Sequence, residues 1–582
     1  MVTNIDPASS MKLLSSFKAL LQHNGRALLL LLLLSFIFSC AFNVYAYDVM
    51  EKFGPGMGIV GFVSGWGMCF AFLVLMYSLH WVCLMLYLWG SSLFLFMITW
   101  FLRTSGLELN DEVVASVMET KPQEIFIYLN AVSIPLALAT GAVCYVLARW
   151  IAGTYSVPRR ERAALFALAA AAVVCLNIVW YRGLPYNVLL PAAMQEEVFS
   201  QASKFPMHSY KKVGTMIKDY YEITTRVLQE LDGLKDPAEL ASTCGEAEPV
   251  TLLIHFGEAL RADHLPFNGY ERNTMPLLSR LPGIISFPKV ASYATATRES
   301  TLGALSDATV EGRKLHYSGF MSLFNKHGFS TNAVLLPSGS VHDMPAYRLL
   351  KDTRNIVQIP EDEIYDVMNS LPYIFNILGQ GRDQRLVLYV NNLGSHPAYY
   401  YREKNKVFLP DERNMVFPTM FPKQNIVNAY DNTILQNDEF IYSIIEKLKD
   451  RNAVYFYCSD HGQSLGERGN YTQNGSMDIP EQRYVACFVW FSDLFRKTHP
   501  DMVRNLEANA ERLPMISHDY FFHTVIALGS ISSQVVDPGL NLCSPCVRPF
   551  TGDVPAFPEY DRQLEEMRKR LSTKDEMPVA GK

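Results

Sequence analysis

The sequence predicts two parts of different character: an amino-terminal five-helix transmembrane domain and, after a connecting region, a soluble three-layer α/β domain. Three observations predict this. The amino-terminal part is nearly uncharged and holds several apolar runs long enough to cross a bilayer, which takes roughly 20 residues per helix. The remainder has the charge of an ordinary globular sequence and alternates short apolar, β-rich runs with helical stretches, the pattern of a largely parallel sheet covered on both faces. Two of those runs, 250–256 and 453–457, deliver acidic and imidazole side chains at their carboxyl ends, where α/β sheets gather their ligands.

The predicted spans are 27–47, 56–79, 81–102, 125–150 and 163–181. Lys12, Lys18 and Arg26 precede the first. That run is long and no small-residue cleavage site follows it, so it reads as a retained anchor rather than a signal peptide. The basic residues of the amino-terminal tail and Arg159, Arg160 and Arg162 after the fourth span mark the cytoplasmic side. The loops at 48–52 and 103–124 are acidic on balance. An odd number of spans then leaves everything after Tyr181 outside. Mean hydropathy of +0.07 over 582 residues agrees with a membrane protein, and a net charge of −6 gives no sign of a nucleic-acid partner.

The chain therefore divides into a transmembrane domain at 1–181, amphipathic connecting helices at 182–248, an exported catalytic domain at 249–550 and a tail at 551–582. In the connecting region Val213, Met216, Ile217, Tyr220, Val227, Leu228 and Leu231 recur at helical spacing. They predict a helix on the membrane surface or against the exported domain, ended by Gly233 and Asp236-Pro237. Further strands are expected at 331–336, 385–390 and 485–491, and helices at 302–308, 317–327, 428–449 and 518–528. The tail, polar and then charged, is expected to pack loosely. In the outer loop 103–124, Thr120 and Glu124 stand one helical turn apart, and by themselves read as part of a solvated segment.

The chemistry concentrates at the strand ends. Glu258 follows the first strand, and Asp460 and His461 follow the strand at 453–457. Two carboxylates and an imidazole form a ligand set that suits zinc with one position left open. A hydroxyl from the segment 292–297 completes a metal-activated nucleophile site, with several candidates in that segment. Spacing alone leaves this reading level with the plainer one, that acids at strand ends are solvated loop residues. Asp263 and His264 read equally as a general acid and base or as caps of their loop.

Of the ten cysteines, Cys40, Cys69, Cys83, Cys144 and Cys175 fall in spans, and Cys458 and Cys487 in predicted buried strands. Cys244, Cys543 and Cys546 are the exposed candidates for an oxidising compartment, and Cys543-Ser-Pro-Cys546 is expected to contribute to a structural disulfide.

Several motifs in one order then carry a family resemblance. These are Gly257-Glu-Ala-Leu-Arg-Ala-Asp-His264, Asn268–Thr274, Ser292–Thr297, Gly394-Ser-His-Pro-Ala-Tyr399, Asn428–Asn432, Ser459-Asp-His-Gly462 and Ser517-His-Asp519. Together with the five-span region and the loop of Glu119, Thr120 and Glu124, they make the chain resemble the phosphoethanolamine transferases of Gram-negative inner membranes. The resemblance extends along nearly the whole chain. It implies an α/β/α sandwich of alkaline-phosphatase and sulfatase type and a multi-pass protein of the inner membrane, with a periplasmic catalytic domain and no partner chain. It further implies a zinc held by Glu258, Thr297, Asp460 and His461, with Thr297 as the nucleophile and Thr295 as the near miss. His396 matches a residue that contacts the phosphate group or a second metal, and Thr120 and Glu124 match positions that hold the lipid head group. The reaction so implied passes phosphoethanolamine from phosphatidylethanolamine through Thr297 to a glycolipid, lipid A or the core of lipopolysaccharide.

The chain also departs from the family. Gln463 stands where relatives have glutamate, and Gln473 or Asn474 where many have histidine. The loop 336–341 lacks a common lysine, although His342 is near. Arg298 and Glu299 replace small or apolar residues after the nucleophile, and Tyr293 replaces one of the bracing cysteines. Two other functions are therefore weighed: a transferase or hydrolase of the same superfamily acting on another periplasmic glycan or phosphodiester, and a non-catalytic envelope protein. A sulfatase calls for cysteine or serine at the position of Thr297, and the intact zinc set speaks against a binding-only protein.

Overall fold

The computed structural model describes residues 25–37, 55–95, 133–154, 159–181, 206–245, 249–336, 345–380, 384–397, 399–413, 418, 421–473, 477–552 and 557–575. The chain forms two compact units, one made mainly of residues up to Tyr220 and the other mainly of residues from Tyr221 onward.

The first unit is helical. Helices α1 (Gly25–Ile37), α2 (Pro55–Leu79), α3 (Trp81–Leu95), α4 (Ser133–Thr154) and α5 (Arg159–Tyr181) stand where the sequence places its apolar runs. Among the described residues the stretch Ile134–Gly153 is long and apolar enough to cross a membrane; Gly25–Ile37, Trp66–Leu79 and Trp81–Leu93 are shorter apolar helices. Leu31, Leu73, Leu84, Leu88, Ala148, Ile151 and Leu165 share one buried cluster. Leu29, Leu33, Leu138, Val146 and Leu168 instead face outward, so the helices are apolar on both sides. Helices α3 and α4 meet closely: Trp89 Nε1 donates to Ala137 O at 3.0 Å, and a Cβ on Gly141 would lie 3.2 Å from the same nitrogen.

Helix α6 (Pro206–Asp232) ends at Gly233 and the Asp236-Pro237 turn, as its sequence predicts. In its last turns Leu231 is buried and Val227 packs against the core of the second unit.

The second unit is built on a sheet of seven strands. In chain order these are β1 (Thr251–Gly257), β2 (Ile284–Ser286), β3 (Ser330–Leu335), β4 (Asn355–Gln358), β5 (Leu386–Asn391), β6 (Ala453–Ser459) and β7 (Cys487–Phe491). Their spatial order is β2-β7-β6-β1-β5-β3-β4. The five from β6 to β4 run parallel, and β7 lies antiparallel to both of its neighbours. Strands β1, β5 and β6 are buried on both faces, which explains their continuous apolar sequences. One face packs on a cluster containing Phe256, Phe456, Phe521 and Val525. The other packs on Leu253, Tyr455, Ile434, Ile441 and Ile445. The helices that cover these faces include α7 (Thr297–Ala304), α8 (Leu371–Gln380), α9 (Lys423–Leu448) and α10 (Asp519–Leu528).

Two expectations need correction. The tail does not merely pack loosely: α11 (Pro558–Asp575) turns Tyr560, Leu564 and Met567 into a cluster with Phe557, Ala291 and Tyr484. Nor does Cys543 or Cys546 take part in a disulfide in this structure. Both are free thiols; Cys543 is buried in the core while Cys546 faces solvent.

Candidate active site

The register of two neighbouring strands assembles the site. Gly257 at the end of β1 pairs with Ser459 at the end of β6, so Glu258 and Asp460 leave the sheet at the same level. Asp460 N–H donates to Gly257 O at 3.0 Å and locks the two exits together. Ala259 then adopts a φ of 56°, a left-handed conformation that an alanine takes only when its surroundings impose it. The turn aims Ala259 N–H at Asp460 Oδ1, 2.9 Å away, and His461 N–H reaches the same oxygen at 2.7 Å. With Oδ1 so held, Asp460 Oδ2 is buried and accepts no hydrogen bond.

His461 completes a triad. Its Nδ1 lies 2.7 Å from Gly462 O, an acceptor, so the proton sits on Nδ1 and Nε2 turns inward. Nε2 lies 3.3 Å from Glu258 Oε1 and 3.2 Å from Asp460 Oδ2. Gly462 is required there because a Cβ would come within 2.2 Å of Glu481 O.

The hydroxyl comes from Thr297, whose Oγ1 lies 3.2 Å from both Glu258 carboxylate oxygens and 3.2 Å from His461 Nε2. Ala296 is still extended and Thr297 opens α7, so the nucleophile candidate stands where a loop ends and a helix starts. Thr295, two residues earlier, is buried at 2 % exposure, while Thr297 is half-buried over the triad. Gly303 lets α7 settle on Tyr293, since a Cβ there would be 2.2 Å from Tyr293 Cγ.

The charges explain what the site lacks. Burial, and then the charge of Glu258, push the Asp460 carboxyl up to about 7. Burial pushes Glu258 the same way, but the hydrogen bond and charge of His461 and the charge of His396 bring it net below its ordinary value. Burial alone would lower His461; Asp460 and Glu258 raise it to about 9. Two buried carboxylates that share one imidazole lack positive charge. A cation would supply it and occupy the free Asp460 Oδ2. The ligand atoms of Glu258, Asp460 and His461 lie within 4.8 Å of one another, and this donor set fits a metal ion.

The other predicted residues fall into place unevenly. His396 is partly exposed, and its Nδ1 lies 3.0 Å from Pro397 O. Asp263 forms an ion pair with Arg261 at 2.7 Å, and His264 Nδ1 lies 2.7 Å from Asp431 Oδ1, contacts that tie both residues into the structure. Gln463 is buried, donating to Tyr399 Oη at 2.9 Å and to Ser395 O at 3.3 Å. Arg298 donates to Thr224 Oγ1 of α6 at 2.7 Å. Thr120, Glu124, His342 and Asn474 lie outside the described residues.

One residue escaped the sequence reading. His518 Nδ1 accepts Tyr293 N–H at 3.1 Å, and Nε2 donates to Ser459 O at 3.0 Å. It joins the nucleophile loop to β6. The motif Ser517-His-Asp519 was the available signal, but nothing in it indicates a partner far along the chain.

Comparison with known proteins agrees with this geometry. A family model described as Sulfatase matches residues 250–531. The chain is 25 % identical over 477 residues to the phosphoethanolamine transferase EptA of Salmonella typhimurium, covering 77 % of this chain and 83 % of that one. It is 29 % identical over 357 residues to the phosphatidylethanolamine transferase Mcr-2 of Escherichia coli, covering 57 % and 63 %. The solved structure of the integral membrane lipooligosaccharide phosphoethanolamine transferase EptA of Neisseria meningitidis shares its fold, with a TM-score of 0.65 at 22 % identity over 89 % of this chain and 99 % of that one.

Proposed function

We propose that the chain belongs to the phosphoethanolamine transferases of the sulfatase-like superfamily and is a zinc-dependent enzyme of the inner membrane. It moves phosphoethanolamine from phosphatidylethanolamine to an envelope glycolipid, lipid A or the lipopolysaccharide core. One observation carries this: a half-buried Thr297 hydroxyl held 3.2 Å from Glu258 and His461, beside a buried Asp460 oxygen that accepts no hydrogen bond.

Glu258, Asp460, His461 and Thr297 are the residues that would hold the zinc. When bound, it lowers the pKa of the threonine hydroxyl and draws charge from the phosphoryl oxygens as the transition state forms. Glu258 accepts the Thr297 hydrogen bond and is the group at hand to take its proton. Thr297 Oγ1 attacks the phosphorus, the bond to diacylglycerol breaks, and phosphoethanolamine stays on Thr297. An acceptor oxygen then attacks the same phosphorus and frees Thr297. Glu258, Asp460 and His461 are buried, so bulk water is kept from below the nucleophile, while Thr297 is open to substrate. His396 stands near enough for its charge to act on Glu258, which fits a role beside the phosphoryl group. The donor is a membrane lipid, and the outward-facing leucines and valines of the first unit suit a bilayer.

Mass spectrometry of envelope glycolipids tests this. Cells that express the protein should carry glycolipid heavier by one phosphoethanolamine group, and cells that express Thr297→Ala should not. Identical glycolipid profiles with and without the protein would reject the proposed reaction.

A further inference from the structure

Two cysteines that the reaction does not use face each other across the sheet. Cys458 of β6 pairs in register with Cys487 of β7. Each is 2 % exposed, and both belong to the same core cluster, so the side chains lie on one face. The hydrogen bonds fix the kind of pair. Ser459 N–H donates to Ala486 O at 2.9 Å and Ser492 N–H to Ala453 O at 3.0 Å, which makes 459 with 486 and 453 with 492 hydrogen-bonded pairs. Alternation along the ladder makes Cys458 and Cys487 a non-hydrogen-bonded pair. Such pairs bring Cα atoms to about 4.5 Å, inside the roughly 4.4–6.8 Å that a disulfide needs. In this structure both are free thiols, and the Cys458 thiol donates to Ser459 O at 3.6 Å.

We propose that Cys458 and Cys487 form a disulfide in the mature protein, a covalent cross-link that clamps the loop of Asp460 and His461. The inference rests on the exported placement of this domain proposed above, because an oxidising compartment supplies the co-reactant. That co-reactant is a dithiol–disulfide exchange protein. The thiolate of one cysteine attacks the disulfide of the oxidant and releases one of its thiols. The second cysteine, deprotonated, attacks the mixed disulfide and releases the other. Two protons and two electrons leave the pair, the oxidant is reduced to its dithiol, and one sulfur–sulfur bond forms.

The timing follows from burial. Once the sheet has closed, both sulfurs are buried and no oxidant reaches them. Exchange therefore takes place while β7 is docking on β6. The bond closes the segment from Ser459 to Ala486, which carries Asp460, His461 and Gly462. Gly462 N–H donates to Gln482 O within this segment at 2.9 Å, so the cross-link and the ligand loop share one closed ring. A ring of this kind limits the unfolded chain and holds the ligands in register.

The test uses the full chain, expressed to its natural membrane. Cys546, an exposed free thiol, reports on export: a membrane-impermeant maleimide should label it in cells with a permeabilised outer membrane. The purified protein is then denatured in excess alkylating reagent without reductant and digested. The expected result is a linked peptide joining Cys458 to Cys487, two hydrogen masses below the reduced pair, and converted to two alkylated peptides only after reduction. The double variant Cys458→Ala with Cys487→Ala should lose the cross-link and several degrees of midpoint temperature. Labelled Cys546 with Cys458 and Cys487 both alkylated would overturn this proposal and leave the exported placement standing. Cys546 unlabelled until the inner membrane is broken would overturn the placement, and the cross-link with it.

Discussion

His518 Nε2 lies 3.0 Å from Ser459 O, and this one hydrogen bond connects the helix α10 to the strand that presents Asp460. The other ring nitrogen holds Tyr293 N–H, four residues before Thr297. Nδ1 accepts and Nε2 donates, so the ring is neutral, and burial pushes its pKa down to about 3. The segment that leads to Thr297 and the strand that leads to Asp460 are therefore joined through one imidazole. His518→Ala removes the acceptor of the buried Tyr293 N–H and the N–H donor to Ser459 O, a cost of about 2 kcal/mol. The variant should unfold at lower denaturant and lose kcat more than it raises KM, because the misalignment acts on the reacting atoms. Unchanged kcat in a folded His518→Ala protein would remove the residue from this role.

The metal prediction turns on the free oxygen of Asp460. Glu258, Asp460 and His461 converge only in the folded domain, so the purified protein should carry about one tightly held zinc per chain. Asp460→Asn keeps the acceptor for Ala259 N–H and His461 N–H and removes the charge. Elemental analysis should show the zinc gone or weakened at least about tenfold, with activity lost alongside and the far-ultraviolet circular dichroism unchanged. Zinc and turnover both retained would mean that the ligands are elsewhere.

Acid stability rests on a different cluster. Burial pushes the Glu467 carboxyl up, but the charges of Arg261 and Lys423 and the N–H of Leu465 outweigh it and bring the pKa from 4.5 down to about 2. A depressed carboxyl stabilises the fold fully above 4.5, and that contribution is lost as pH falls from 4.5 toward 2. The ion pair with buried Arg261 is 3.1 Å long. Glu467→Gln should therefore cost about 3 kcal/mol at neutral pH, measured by urea unfolding. The gap between variant and parent should narrow through that acid window. A gap that stays constant down to pH 3 would show that the charge is not its source.

Much of this fold was legible because buried parallel strands write long apolar runs: β1, β3, β5, β6 and β7 are all visible that way. The edge strand β4 was not, since Asn355 and Gln358 are exposed and break the pattern. Helix α11 was hidden because charged residues separate Tyr560, Leu564 and Met567, whose helical spacing shows only once their partner Tyr484 is known. The three candidate ligand positions could be read from where strands end, yet their convergence depends on the pairing of Gly257 with Ser459, which no local pattern gives. The choice between Thr295 and Thr297 was also beyond the residues themselves. It follows from the turn at Ala296, where extended backbone becomes helix and leaves one hydroxyl buried and the other over the triad.

That choice supports the central claim, and a single measurement tests it. The enzyme is incubated with phosphatidylethanolamine and no acceptor, and the protein is then mapped by peptide mass spectrometry. The account predicts release of diacylglycerol and one phosphoethanolamine group on Thr297, with Thr295 unmodified and Thr297→Ala neither modified nor active while still holding zinc. Phosphoethanolamine on Thr295, or full turnover by Thr297→Ala, would contradict it.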